Sequence, residues 1–346
     1  MTILITGDAG FIGFHLAKKL LSNKIPVIGI DNLNSYYDVT LKKARRQELI
    51  NIAVEKKINY SPTLVDISNE FELKQVFNKF KPKIVVNLAA QAGVRYSIEN
   101  PKSYVNSNLI GFANILENCR EHNVKNLIYA SSSSVYGGNT KMPFLESKGV
   151  DHPVSLYAAT KRSNELLAHS YSHLYGIPSI GLRFFTVYGP WGRPDMALFL
   201  FTKAILNGET IDVFNNGNMM RDFTYIDDIV ESIYRLLKKP PKCSKQFDSD
   251  NPDPSFSWAP FRIFNIGNSS PTPLLEYIEA IENALGIKSK RNYMPIQPGD
   301  VPDTYADTSS LEKYINFKPA TSVENGVNNF ISWYLEFYLK LKEKNI

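Results

Sequence analysis

Tyr157 and Lys161 stand four residues apart. On a helix that spacing puts both side chains on one face. A phenol with a pKa of about 10 is a weak base at neutral pH, but a nearby ammonium favours its phenolate. Such a pair can move a proton to and from a hydroxyl group. The run Ser131, Ser132, Ser133 and Ser134 precedes it, at the end of an apolar stretch. A serine at the carboxyl end of a buried strand can hydrogen-bond the same reacting oxygen, and Ser132 is given that role. Tyr157, Lys161 and Ser132 are the candidate catalytic set. A Tyr-x-x-x-Lys pattern occurs often by chance, so the elements around it carry the argument.

Gly7, Gly10 and Gly13 follow an apolar run and precede a helical one. Glycines there allow a tight turn and let backbone amides at a helix start approach a pyrophosphate. Asp31 ends the next apolar run, placed to accept hydrogen bonds from adenosine ribose hydroxyls and to repel a 2′-phosphate. Strand, glycines, helix and acid together point to NAD rather than NADP. Asp66 and Ile67 end a third run, where adenine would meet one polar and one apolar side chain. Leu88, Ala89 and Ala90 end a fourth, where small residues let a cofactor lie close. For these five positions a plain strand end is an equal alternative. Phe11, Ile12, Asn32 and Asn108 complete the expected cofactor contacts, with Tyr157 and Lys161.

The elements that must position these groups alternate. Apolar β runs at 2–6, 27–31, 59–67, 83–90, 126–132 and 179–185 are separated by helical patterns at 11–22, 70–80, 103–122 and 157–175. That order predicts βαβ units and a doubly wound parallel sheet, a Rossmann α/β fold. Beyond residue 186 loops lengthen, and 239–261 reads as one long surface loop. The boundary is placed near 182: a cofactor domain over 1–182, with returning segments near 226–237 and 262–267, and a smaller α/β substrate domain over 183–346.

The chain has 346 residues, 43% hydrophobic and 21% charged, as in an ordinary globular protein. No apolar run reaches the ~20 residues of a membrane span, and MTILITGDAGFIG lacks a basic leader. Cys119 and Cys243 form no metal or redox spacing. A cytoplasmic protein without membrane insertion is expected. The net charge of +5 comes partly from short runs: Lys42, Lys43, Arg45 and Arg46, then Lys238, Lys239, Lys242 and Lys245. These read as solvated surface, or more sharply as a field drawing an anionic substrate. No basic and aromatic face suits nucleic acid. His169 and His173 share a helix face, but no third ligand is near, so no metal is expected. His15 is assigned to packing.

TGDAGFIG, Asp31, NLAAQAG, SSSSVYG, YAATK and RDFTYIDD together resemble the extended short-chain dehydrogenases/reductases that act on nucleotide sugars. The resemblance runs to about residue 336. Within that family the chain is most similar to the UDP-glucuronate 4-epimerases, through DNLNSYYDVTLKKAR (31–45), AAQAGVRYS (89–97), FFTVYGPWGRPDMALF (184–199), RDFTYIDDIV (221–230) and QPGDVPDTYAD (297–307).

The resemblance implies NAD retained through the cycle and a transient 4-keto UDP-sugar that turns over in the site. It implies that Tyr157 takes the 4-hydroxyl proton while Lys161 and Ser132 orient the reacting groups. A 4-keto glucuronate is a β-keto acid, so its carboxylate must be held against loss of carbon dioxide; Ser133, Ser134 and Thr186 are the candidates. The family's decarboxylases and dehydratases carry an acid where Ser133 and Ser134 stand, and its galactose epimerases usually carry Asn at the Thr186 position. Arg193 is expected to bind the carboxylate or a phosphate, Arg221 the diphosphate, Asp300 the uridine ribose and Phe214 the uracil. Surface ion pairing is the alternative for Arg193 and Arg221. The family's usual Arg before that Asp is Gln297 here. A homodimer through helices near 103–122 and 158–175, and a role in polysaccharide synthesis, are further expectations of the resemblance. The alternatives are a 4-epimerase of UDP-galactose, UDP-glucose or UDP-N-acetylhexosamine, a UDP-glucuronate decarboxylase, or a cofactor-sensing binding protein without turnover.

Overall fold

The computed structural model describes residues 2–343, so the last residues of the expected second domain, 344–346, lie outside the described ones. The first half runs β1 (Ile3–Thr6), α1 (Phe11–Ser22), β2 (Val27–Asp31), α2 (Val39–Lys56), β3 (Tyr60–Leu64), α3 (Glu70–Phe80) and β4 (Ile84–Asn87). Two short helices follow, α4 (Tyr96–Glu99) and α5 (Pro101–Tyr104), then a π-helical turn at Val105–Ile110, and α6 (Gly111–Glu121). Next come β5 (Asn126–Ser132), α7 (Leu156–Tyr175) and β6 (Ser179–Phe184). The second half holds β7 (Thr186–Tyr188), α8 (Ala197–Leu206), β8 (Thr210–Val213), β9 (Met220–Tyr225), α9 (Ile226–Leu236) and β10 (Phe261–Ile266). It ends with β11 (Pro271–Pro273), α10 (Leu274–Leu285), β12 (Lys290–Tyr293), α11 (Ser309–Ile315), α12 (Val323–Trp333) and α13 (Leu339–Glu343).

Seven strands form a parallel sheet in the order β10-β6-β5-β4-β1-β2-β3. This is the doubly wound Rossmann arrangement. Strands buried on both faces are nearly all apolar, and β1 and β4 are buried throughout, polar only at Thr6 and Asn87. Ile3, Ile5 and Val86 pack on one side with α1 and α9; Leu4, Val85 and Leu127 pack on the other with α3 and α6. Each such side chain contributes about 1.5–3 kcal/mol through burial. The helix starts have local causes. Asn69 caps α3 through the amide of Glu72, and Ser155 caps α7 through that of Ala158.

The strand order reverses between β1 and β4, which opens a crevice at their carboxyl ends. The chain leaves the large sheet after Phe184, just beyond the boundary placed near 182. It re-enters through β10 at the sheet edge, while α9 packs on α1 with Lys19 bridging to Glu231. Two small sheets, β11-β9-β7 and β12-β8, face the crevice from the second half. Among the described residues no helix is long and apolar enough to cross a membrane.

Candidate active site

A cavity of about 640 Å³ fills the crevice, within the usual range for a cofactor or substrate site. At one end β1 turns into α1 through the three glycines. Gly7 has φ +76°, and a Cβ there would sit 2.9 Å from the amide nitrogen of Ala89; one on Gly13 would overlap the carbonyl of Gly7. Glycine is therefore required for the turn and for its packing. The start of α1 has no side-chain cap and no acid in its first turn, so its amides face the cavity unmasked. That is a ready anion site. Thr6 donates to Asn87 Oδ1 at 2.7 Å and accepts from the amide of Ala89 at 3.1 Å, which locks β4 to β1 at the reversal.

Asp31, Asn32, Asp66, Ile67, Leu88, Ala89, Ala90, Phe11 and Ile12 line the same end. Asp31 accepts from the amide of Leu33 at 2.8 Å. Asn32 donates to Asp66 at 2.8 Å. Burial raises the Asp66 carboxyl, but hydrogen bonds from Ser68 and Asn32 outweigh it and hold the group below its usual range. An uncapped helix start, a glycine cradle and an acid ending β2 fit a dinucleotide.

The catalytic candidates meet mid-cavity. β5 delivers Ser131 and Ser132, and α7 delivers Tyr157 and Lys161. Ser132 Oγ accepts from the Ser134 amide at 3.1 Å. Lys161 Nζ donates to the carbonyl of Ala130 at 2.8 Å and lies 5.9 Å from the Tyr157 ring centre. Burial pushes the Tyr157 phenol up, while Ser132 and the charge of Arg193 pull it down. Burial lowers Lys161 to about 8. The side chains beneath are fixed by a buried ion pair. Glu165 of α7 accepts from Ser131 at 2.6 Å and twice from Arg183 of β6 at 2.9 Å.

At the far end Ser133, Ser134, Thr186, Arg193, Phe214, Arg221 and Asp300 all line the cavity. Arg193 donates to Asp195 at 3.0 Å, and Tyr36 donates to the same carboxylate at 3.1 Å. Among the described residues Arg221 pairs with no carboxylate; its guanidinium donates to the carbonyls of Pro302 at 2.6 Å and Val301 at 2.7 Å. The adjacent Asp222 is buried and accepts from the amides of Asn268, Ser269 and Ala306, which gathers the loops around Arg221. Arg95 bridges to Asp300 at 2.8 Å and lies 4.8 Å over the Phe214 ring. A guanidinium thus stands beside Asp300 although the chain carries Gln297 three residues before it.

Two expectations are corrected. Asn108 lies behind the cavity wall. Its amide brackets the Gln91 backbone, accepting from N at 2.9 Å and donating to O at 3.0 Å, and Ser107 lines the cavity instead. Lys42, Arg45 and Arg46 are not solvated surface. Lys42 and Arg45 are buried, Lys42 donates twice to Asn34 at 2.8 Å, and Arg46 pairs at 2.8 Å with the buried Asp8. Sequence reasoning also missed Tyr36, Arg95 and Asp195, which lie inside the motifs at 31–45, 89–97 and 184–199 but show no role by residue type alone. Lys42, Arg45 and Arg46 did carry a local signal: the i, i+3, i+4 spacing of one helix face. His169 meets Ser257 at 2.9 Å and His173 accepts from Trp258 at 2.8 Å, which ties the long loop to α7. No cluster of metal-ligating side chains occurs among the described residues.

Comparison with known proteins agrees with this geometry. Protein CapI of Staphylococcus aureus is 59% identical over 98% of this chain and 100% of its own length. A probable UDP-glucuronate 4-epimerase of Rhizobium meliloti is 48% identical, covering 98% of each chain. The crystal structure of a UDP-glucuronic acid 4-epimerase from Bacillus cereus, in complex with UDP-glucuronic acid and NAD, matches with a TM-score of 0.83 at 32% identity, covering 98% of this chain and 100% of that one. The model of the NAD dependent epimerase/dehydratase family matches residues 3–248, and the chain belongs to that family.

Proposed function

We propose that this protein interconverts UDP-glucuronate and UDP-galacturonate by NAD-dependent epimerisation at C4. The observation that carries the reading is the cavity lining: Ser133, Ser134, Thr186 and Arg193 share the cavity with Tyr157, and no carboxylate stands between Ser132 and Val135. Hydroxyls and a guanidinium can hold a sugar carboxylate, and a carboxylate wall would repel it. The similarity to proteins described as UDP-glucuronate 4-epimerases supports the same substrate.

The residues divide the work. The α1 amides and Asp31 would hold NAD, which would supply a hydride acceptor and positive charge to the site. Burial favours the Tyr157 phenol while Ser132 and the Arg193 charge oppose it, and Tyr157 would take the 4-hydroxyl proton and return it later. Lys161 holds the ribose side and Ser132 the reacting oxygen. Ser133, Ser134 and Thr186 keep the carboxylate out of line with the 4-keto carbonyl, so its C–C bond does not break. Arg221 and the Arg95–Asp300 pair frame the diphosphate and ribose end.

A homodimer belongs to the same reading. Leu166 and Leu174 of α7 are 55% and 64% exposed, and Val105 and Ile110 of the π turn are 39% and 47% exposed. Cytoplasmic residence is supported by two free cysteines, Cys119 and Cys243.

The test is to mix the purified protein with UDP-glucuronate, add no NAD, and follow the sugar anomeric protons by NMR. UDP-galacturonate is expected. A pentose product would overturn the epimerase reading in favour of a decarboxylase, and no reaction with NAD added would overturn the substrate.

A further inference from the structure

The segment Pro190–Gly192 turns three successive carbonyls toward α1 and α2. His15 Nε2 lies 2.9 Å from the oxygen of Pro190. Arg45 Nη2 donates to the oxygens of Trp191 at 2.5 Å and Gly192 at 3.1 Å. A carbonyl only accepts, so His15 carries its proton on Nε2; burial lowers the ring to about 3 and keeps it neutral. The other terminal nitrogen of Arg45 donates to the oxygen of Ala9, inside the glycine turn, at 2.8 Å and to the Tyr37 hydroxyl at 2.7 Å.

Arg45 is wholly buried, and its hydrogen-bond partners are carbonyls and a phenol, none of them a carboxylate. A buried charge without a counter-ion is costly, so simple space filling does not account for it. What it holds is strained. Trp191 has φ +59°, in the left-handed region that bulky residues avoid. Phe14 packs the Trp191 ring at 5.0 Å. The next residue after Gly192 is Arg193, whose side chain enters the cavity.

We propose that Arg45, with His15, is a positioning clamp that ties the Pro190–Gly192 segment to the glycine turn and so sets where Arg193, paired with Asp195, stands in the cavity wall for the sugar carboxylate. The guanidinium fork reaches both segments at once, which a single-point donor cannot do. Cofactor turn and carboxylate arm thereby share one rigid support. The proposal rests on the UDP-glucuronate reading above.

Calorimetry on the holoenzyme tests it with two ligands, UDP-glucuronate and UDP. Arg45→Lys keeps the charge and removes the fork. It should weaken UDP-glucuronate about tenfold and UDP by less than about twofold, as for a coupling between neighbouring residues. In an Arg193→Ala background the same substitution should change UDP-glucuronate binding by less than about twofold. Equal losses for both ligands would overturn the clamp, as would a tenfold loss that persists without Arg193. Should Arg45→Lys not fold, His15→Phe removes only the Pro190 bond and should show the same pattern between ligands; its absence overturns the clamp. Wild-type protein that prefers UDP-glucuronate while the variants keep that preference sinks the clamp alone. Wild-type protein that binds UDP-glucuronate no better than UDP sinks the substrate reading, and the clamp with it.

Discussion

Lys161 Nζ donates to the main-chain carbonyl of Ala130 at 2.8 Å, two residues before Ser132 on β5. This bond sets how far α7 stands from β5. It also takes Lys161 out of water, and burial lowers its pKa to about 8. A lysine so depressed loses its charge as pH rises through that value. We expect kcat/KM to fall above about pH 8. In Lys161→Arg the cation persists and the alkaline limb should move to higher pH. A limb that stays in place would belong to another group.

Tyr157→Phe removes the proposed base and keeps the ring that packs on Tyr104 at 6.0 Å. Turnover should fall by at least about a hundredfold. NAD content, measured after denaturing the purified protein, should match the wild type. Intact turnover would contradict the assignment of Tyr157.

Thr186→Val removes a hydroxyl from the carboxylate side of the cavity and keeps the volume. The fraction of UDP-glucuronate that ends as a pentose nucleotide should rise above the wild-type fraction, read by NMR alongside the epimer. An unchanged fraction would remove Thr186 from the protecting set.

Arg183 and Glu165 are both fully buried, so deleting Arg183 leaves the Glu165 charge only the more exposed Arg162, at 3.1 Å, as an ionic partner. Arg183→Met should cost about 3–5 kcal/mol in urea unfolding. Adding Glu165→Met should recover part of the loss, because no fully buried charge then remains and Arg162 keeps the exposed Asp151 at 3.4 Å.

Burial raises the Glu146 carboxyl to about 6, with backbone donation at Asn265 opposing the shift. The folded state therefore binds this proton more tightly than the unfolded chain. Its stabilising contribution is present at low pH and is lost as pH rises through about 6. Glu146→Gln keeps the acceptor for the Asn265 amide and carries no charge. It should raise Tm at pH 7.5 and lose that advantage below about pH 5.

Much of this was legible because the signals were local. The stretch read as a strand over 126–132 is β5 to the residue, since its middle, Leu127 to Ala130, is nearly all apolar, as a strand covered on both faces should be. The glycine turn and the Tyr157–Lys161 face follow from spacing read together with the strands and helices around them. Residues joined only by topology were not legible. Arg95 and Asp300 meet across 205 positions, and Tyr36 and Asp195 across 159. The basic run of α2 misled because charge was weighed without its period. Lys42, Arg45 and Arg46 share a face with the buried Leu49, which marks an inward stripe.

The helix expected over 103–122 is interrupted, and the interruption at Val105–Ile110 has a consequence of its own. A π turn is in effect one residue inserted into a helix. Each residue advances a helix by about 100°, so this insertion sets two rotational phases on one continuous rod. Upstream, α5 aims Tyr104 at the carbonyls of Ala92 and Gly93; downstream, α6 aims Phe112 and Ile115 at the core. Between them Asn108 faces the Gln91 backbone while its own carbonyl accepts from Asn164 of α7 at 2.6 Å. A strictly α-helical rod could satisfy one of these faces and would turn the other away. The extra residue acts as a gear tooth, letting one helix serve both the floor of the site and the core behind it.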